Sequence, residues 1–210
     1  MSLNLDSALA DMPLVAILRG VKPGEVEAIA EAIVAAGIRL IEVPLNSPDP
    51  FDSIARIARS LEGRALVGAG TVLTVPDVSR VAEAGGTLIV SPNTNVEVIR
   101  ASKAKGLLSL PGFFTPSEAF AALEAGADAL KLFPAEMASP ATVKALKAVL
   151  PRDTRLLVVG GVSPQTIPPF LAVGVNGFGV GSDLYAVGRS ADDVGRRAAA
   201  LAASIRAARG

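Results

Sequence analysis

Two charged side chains lie where the sequence is otherwise apolar. Lys131 sits within Ala129-Leu130-Lys131-Leu132-Phe133-Pro134, and Glu42 within Leu40-Ile41-Glu42-Val43-Pro44. An amine held in a low-dielectric interior is disfavoured in its charged form, so its pKa falls. With a pKa near about 7–8, such an amine attacks carbonyl carbons and forms a Schiff base. A carboxylate sharing that interior could move the protons. The structural alternatives are a lysine that reaches out to solvent or a Lys–Glu pair that only satisfies itself. Buried ion pairs add little stability over apolar substitutes, so a pair in a cavity mouth points to chemistry.

Other chemistries are closed off by residue types the chain lacks. Histidine and cysteine are both absent. A histidine base, a Ser-His triad, a thiol nucleophile and a His- or Cys-built zinc site are therefore excluded. Proton transfer must use Glu, Asp, Lys, Tyr or water, and neither a metal nor a cofactor is expected. Lys+Arg and Asp+Glu both number 20, giving zero net charge, and there is one Tyr and no Trp. That leaves no basic excess and little stacking surface for nucleic acid. Residues 1–12 are polar and acidic, unlike a signal peptide. Mean hydropathy is +0.48, yet Gly, Pro and charges interrupt each apolar run before membrane-spanning length. No membrane partner is expected, and the expected location is the cytoplasm.

The elements that must position Lys131 and Glu42 can be read from the hydrophobic pattern. Short apolar runs, expected as strands, occur at 15–18, 40–43, 66–69, 88–90, 107–110, 129–132, 156–159 and 177–180. Near-continuous apolarity suits parallel strands covered on both faces. Amphipathic stretches such as 24–36, 77–84, 97–105, 116–125 and 140–150 alternate with them. Gly37, Gly85, Gly106 and Gly126 close several of these as helix caps. Eight such units in one chain predict an α/β fold, a (β/α)8 TIM barrel formed as a single domain over 1–210. An open doubly wound sheet is the alternative, but Arg19-Gly20-Val21 stands where a Gly-x-Gly-x-x-Gly turn would be needed. The Ala/Arg-rich stretch 191–209 reads as a closing helix on the barrel exterior.

A barrel of this kind carries its active site at the C-terminal ends of the strands. The polar residues expected there are Arg19, Glu42, Thr71, the Ser91-Pro92-Asn93 loop and Lys131. Arg19 offers a planar fork for a carboxylate or phosphate, unless it is a surface arginine. Thr71 could donate to a carboxylate, or cap the next helix. The last two strands end in Gly160-Gly161 and Gly181-Ser182. Glycine turns let backbone N–H groups approach an anion, and these two loops are where barrels usually hold phosphate. Ordinary tight turns are the alternative.

As an ordered set, Ala16-Ile17-Leu18-Arg19-Gly20, Ile41-Glu42-Val43, Gly68-Ala69-Gly70-Thr71-Val72, Leu130-Lys131-Leu132-Phe133-Pro134 and Gly160-Gly161-Val162 resemble the class I 2-keto-3-deoxy-6-phosphogluconate and 2-keto-4-hydroxyglutarate aldolase family. The likeness runs from about Pro13 to Tyr185. It implies a homotrimeric barrel that cleaves a phosphorylated keto sugar acid to pyruvate and glyceraldehyde 3-phosphate. It implies that Lys131 forms the Schiff base and Glu42 is the acid/base. Arg19 and Thr71 would bind the pyruvyl end, with Pro92 and Phe133 completing the substrate surface. Gly160, Gly161, Gly181 and Ser182 would bind phosphate. After the second strand the run Val43-Pro44-Leu45-Asn46-Ser47-Pro48 stands where the phosphogluconate branch usually has an arginine. It looks like the branch acting on the C4 epimer, 2-dehydro-3-deoxy-6-phosphogalactonate, as does Gly181-Ser182-Asp183-Leu184-Tyr185. Asn46 is then expected to reach the distal part of the substrate. The rival readings are the phosphogluconate or hydroxyglutarate aldolase, a sugar-phosphate isomerase or epimerase, and a non-catalytic phosphosugar-binding barrel.

Overall fold

Alternation with period two divides the strand residues between two separate apolar clusters. In one, Leu14, Ala16, Ile41, Val43, Val67, Ala69, Leu130, Leu132, Val158 and Phe178 pack with helix residues such as Ile29, Ile33, Ile54, Ile57 and Leu201. In the other, their neighbours Val15, Leu40, Leu88, Leu110, Ala129 and Leu157 pack against one another. Successive side chains on a strand point to opposite faces, so the first cluster lies between sheet and helices and the second fills the sheet's enclosed side.

The computed structural model describes residues 3–209. The strands are β1 (Leu14–Ile17), β2 (Leu40–Pro44), β3 (Leu66–Gly70), β4 (Leu88–Val90), β5 (Leu108–Leu110), β6 (Gly112–Phe113), β7 (Leu130–Leu132), β8 (Leu156–Val159) and β9 (Gly177–Val180). All neighbours pair in parallel, in the order β5-β4-β3-β2-β1-β9-β8-β7-β6. The two ends of that order, β5 and β6, are consecutive in the chain and separated only by Pro111. The sheet is therefore a nearly closed barrel. Eight strands were expected and nine form, because the fifth is divided at Pro111. Proline has no N–H for a ladder, although its carbonyl still accepts from Lys131 N–H at 2.9 Å.

Helices α2 (Val26–Ala35), α3 (Pro50–Ser60), α4 (Val75–Glu83), α5 (Val96–Ala104), α6 (Pro116–Glu124), α7 (Pro140–Val149), α8 (Ile167–Leu171) and α9 (Ala191–Arg209) follow the strands. Local chemistry starts several of them. Thr115 and Ser139 each form capping boxes with the residue three positions on, and Pro116 and Pro140 take the first helical position. The closing helix spans the expected residues and packs on α2 and α8.

One helix is not in the expected set. The polar start holds α1 (Leu5–Asp11), begun by an Asn4–Ser7 capping box. Its Leu5, Ala8 and Leu9 join the enclosed cluster with Val15, Leu40, Leu88 and Leu157. Asp6 accepts from Arg155 at 2.6 and 2.9 Å, and Arg209 donates to the Ala10 carbonyl at 2.8 Å. Helix α1 thus plugs the N-terminal end of the barrel. Burying each of its leucines contributes about 1.5–3 kcal/mol. No described helix is long and apolar enough to cross a membrane.

Candidate active site

A cavity of about 580 Å³ opens at the C-terminal ends of the strands. Glu42 on β2 and Lys131 on β7 line it, as do Arg19, Thr71, Pro92 and Phe133. Both glycine turns, Gly160-Gly161 and Gly181-Ser182, line it as well. Parallel topology brings them together: every strand ends at the same rim, so residues over a hundred positions apart in sequence share one space.

Lys131 is 7% exposed and Glu42 is 2% exposed. Burial pulls the Lys131 amine below the ordinary lysine range; nearby Glu42 opposes that shift, and Arg19 adds to it. Burial pushes the Glu42 carboxyl up to about 7, against the pull of Lys131 and Arg19. The two do not form a self-satisfying pair: among the described residues' ion pairs, none joins Lys131 and Glu42. The Glu42 Oε2 is buried without a hydrogen-bond partner. The Lys131 Nζ lies 4.7 Å from the centre of the Phe133 ring, so its neighbour there is an aromatic face and not a counter-charge.

Gly70 makes the space for this carboxylate. A Cβ at position 70 would lie 1.7 Å from Glu42 Oε2, so no larger residue fits beside the buried acid. Thr71 follows it at φ 56°. A β-branched residue in the left-handed region is strained, and such strain gathers at functional sites. Thr71 does not cap the next helix; Thr74 does, accepting from Asp77 N–H.

The two glycine turns have different walls. At Gly160, φ is 111° and a Cβ would meet the Glu136 carboxylate at 2.1 Å, so glycine is required and Glu136 lies across the turn. Tyr185 lines the other side, buried and donating to Glu25 Oε1 at 2.9 Å. Burial first and that hydrogen bond second raise its phenol above the ordinary tyrosine range. Glu136 and Tyr185 were not singled out as site residues in the sequence. The available signals were that Glu136 lies two residues beyond the Lys131 motif and that Tyr185 is the chain's one tyrosine.

Asn46 lies at the rim, beside Arg19. It is not among the cavity-lining residues. Its Oδ1 instead accepts from Arg19 Nη1 at 2.6 Å, while neighbouring Ser47 Oγ accepts from Gly20 N–H at 2.9 Å. The loop after β2 thus holds the loop after β1, and Asn46 meets the cavity through Arg19.

Together these groups can form an imine on a ketone, shuttle protons, and hold an anion at the opposite end. Among the described residues no cluster of His, Cys, Asp and Glu could hold a metal ion. The family model for KDPG and KHG aldolase matches residues 5–196. A 2-dehydro-3-deoxy-6-phosphogalactonate aldolase of Escherichia coli (strain K12) is 46% identical, over 94% of this chain and 96% of that one. A KHG/KDPG aldolase of the same organism is 33% identical over 81% of this chain and 79% of its own. The solved native KDPGal structure superposes with a TM-score of 0.94 at 44% identity, covering 99% of this chain and 98% of that chain. This chain belongs to the KDPG and KHG aldolase family.

Proposed function

We propose that the chain is a class I aldolase that cleaves 2-dehydro-3-deoxy-6-phosphogalactonate to pyruvate and glyceraldehyde 3-phosphate. The observation that carries this reading is a buried, unpaired amine beside a buried, unpartnered carboxylate in one cavity. Neutral Lys131 attacks the C2 ketone to give a carbinolamine. Glu42 protonates the departing hydroxyl, which leaves as water, and the iminium forms. The C4 hydroxyl then gives its proton to Glu42, directly or through water, as the C3–C4 bond breaks. Its electrons pass into the iminium and yield an enamine and the aldehyde. Protonation at C3 and hydrolysis release pyruvate. A carboxyl with pKa near 7 suits both directions of proton transfer, because acid and base forms coexist at working pH.

In this proposal Arg19 and Thr71 hold the pyruvyl carboxylate, Pro92 and Phe133 bound the substrate, and Gly160, Gly161, Gly181 and Ser182 receive the phosphate. Higher identity to the galactonate enzyme than to the KHG/KDPG enzyme supports the epimer choice. A phosphorylated sugar acid is multiply charged and does not cross a bilayer unaided, which suits a cytoplasmic setting; the one continuous sheet order from β5 to β6 suits a single domain over 1–210. A homotrimer is also proposed. Leu73, Val75, Phe114 and Phe120 are exposed apolar side chains on the loops and helices after β3 and β6, and an assembly would cover them. Asn95, after β4, donates to the Leu73 carbonyl at 3.4 Å, so the loops after β3 and β4 touch.

The test treats the protein with pyruvate and borohydride and maps the adduct by mass spectrometry. The reduced pyruvyl group is expected on the peptide containing Lys131. No adduct, or one only on surface lysines, sinks the Schiff-base reading. Coupled pyruvate release from both C4 epimers then tests the substrate: preference for the gluconate epimer overturns the galactonate assignment and leaves the aldolase chemistry intact.

A further inference from the structure

The turn after β9 is held by two arginines that do not line the cavity. Arg189 Nη1 donates to the Ser182 carbonyl at 2.7 Å and to the Asp183 carbonyl at 3.3 Å. Arg197 Nη1 donates to the Asp183 carbonyl at 3.1 Å. The Gly181 carbonyl accepts from Leu184 N–H at 2.9 Å and Tyr185 N–H at 2.8 Å. All three carbonyls of Gly181-Ser182-Asp183 are therefore engaged. Among the described residues, no protein acceptor takes the N–H of Gly181, Ser182 or Asp183.

A peptide unit is planar and trans, so its C=O and the next residue's N–H point in opposite directions. A guanidinium fixed on the Ser182 oxygen therefore aims the Asp183 N–H the other way. The bonds on the Gly181 oxygen do the same for the Ser182 N–H. Asp193, in the first turn of α9, fixes the arginines in turn. Its Oδ2 accepts from Arg197 Nε at 3.0 Å and lies 3.8 Å from Arg189 Nε. The hydrogen bond to Arg197 holds the Asp193 carboxyl below the usual carboxylate range, so this brace stays ionised at neutral pH.

We infer that Arg189 and Arg197 are positioning residues for phosphate recognition: they brace the turn by its Ser182 and Asp183 carbonyls so that the backbone N–H groups of Gly181 and Ser182, which line the cavity, present to the phosphate of the substrate. The inference rests on the aldolase reading for the identity of the substrate, but the phosphate-binding step can be measured by itself. Neither arginine touches the phosphate; each acts through the turn.

The experiment compares wild type with Arg189→Gln, Arg197→Gln and Arg189→Lys as full-length proteins. Calorimetric titration with inorganic phosphate reads the turn directly. Steady-state kinetics follow cleavage of the phosphorylated substrate and of a 2-keto-4-hydroxy acid without phosphate. In Arg189→Gln, the phosphate dissociation constant and the KM for phosphorylated substrate should both rise about tenfold, the scale of losing hydrogen bonds made by a charged group. The kcat and the unphosphorylated reaction should stay within about threefold. Arg189→Lys keeps the charge and a donor, so its values should fall between. Equal losses on both substrates, or unchanged phosphate affinity, overturn the inference. If Arg189→Gln does not fold, Arg189→Lys and Arg197→Gln carry the same comparison with the same two outcomes. Failure of Lys131 to trap pyruvate in the wild type removes the aldolase reading instead and leaves the phosphate titration standing.

Discussion

The two ends of the barrel are built from the same strands, two residues apart, yet they obey opposite rules. On β2, Leu40 belongs to the apolar plug while Glu42 is a buried acid; beside β7, Ala129 belongs to the plug while Lys131 is a buried amine. The N-terminal end is closed by α1, whose Leu5, Ala8 and Leu9 pack with Val15, Leu40 and Leu157. The C-terminal end opens into a cavity with two ionisable groups at reduced solvation and a threonine at positive φ. Each feature of the second end costs stability: desolvated charge, an orphaned oxygen and backbone strain. The plugged end supplies apolar burial without such penalties. One fold can thus separate where it is stabilised from where it reacts.

Four measurements would break or sharpen that contrast. The largest effect is expected from Lys131→Leu. It removes the proposed nucleophile, so turnover should drop by roughly 10³ or more. Thermal stability should hold or rise, because an apolar side chain replaces a desolvated amine. A variant that keeps substantial activity would make the C-terminal end merely a tolerated defect.

Glu42→Gln comes next, with kcat expected to fall by ~10²–10⁴ and KM little changed. Stability gives a second readout. The folded pKa near 7 lies above the ordinary carboxyl value of 4.5, so the native state holds its proton longer than the unfolded chain. The stabilisation this gives is complete below the unfolded pKa and is lost as pH rises through about 7. Wild type should therefore lose stability relative to Glu42→Gln between about pH 4.5 and 7. Melting curves of the two proteins that run parallel across that window would contradict burial as the cause of the shift.

At the plugged end the signs should reverse. Leu88 is fully buried in the apolar cluster. Leu88→Ala should cost about 2–5 kcal/mol in chemical denaturation and leave kcat of the folded enzyme within about threefold. A large kcat loss with unchanged stability would show that the two ends are coupled.

The smallest effect is expected at Asn46, which holds Arg19 at the cavity rim. Asn46→Ala should raise KM by about three- to tenfold, the scale of one hydrogen bond to a charged group. It should also move the pH profile, because Arg19 acts on both Lys131 and Glu42. Asn46→Arg should narrow or invert the ratio of kcat/KM between the two C4 epimers. An epimer ratio and pH profile unmoved in both variants would confine Asn46 to a surface contact.

Much of this was legible in the chain. The alternating pattern gave the barrel, and the stretch 191–209 gave its last helix with the bounds later found. Lys131 and Glu42 stood out because charge is costly inside apolar strands. Helix α1 was hidden because its seven residues have meaning only against the barrel floor they plug. The split at Pro111 was hidden because a proline in a short apolar run does not say which neighbour each half will join.

What the sequence determined by itself was the inventory and its period: no histidine or cysteine, one amine and one acid in inward phase, glycines at two final turns. Those are properties of residue type and of the strand repeat, and both are local. Only the tertiary structure decided which groups meet. It set Asn46 on Arg19, left Lys131 and Glu42 near each other yet unpaired, and set Arg189 and Arg197 on the carbonyls of a turn. The physical reason is that solvation, pKa and hydrogen-bond geometry depend on neighbours brought close by barrel closure, at sequence separations that no local pattern encodes.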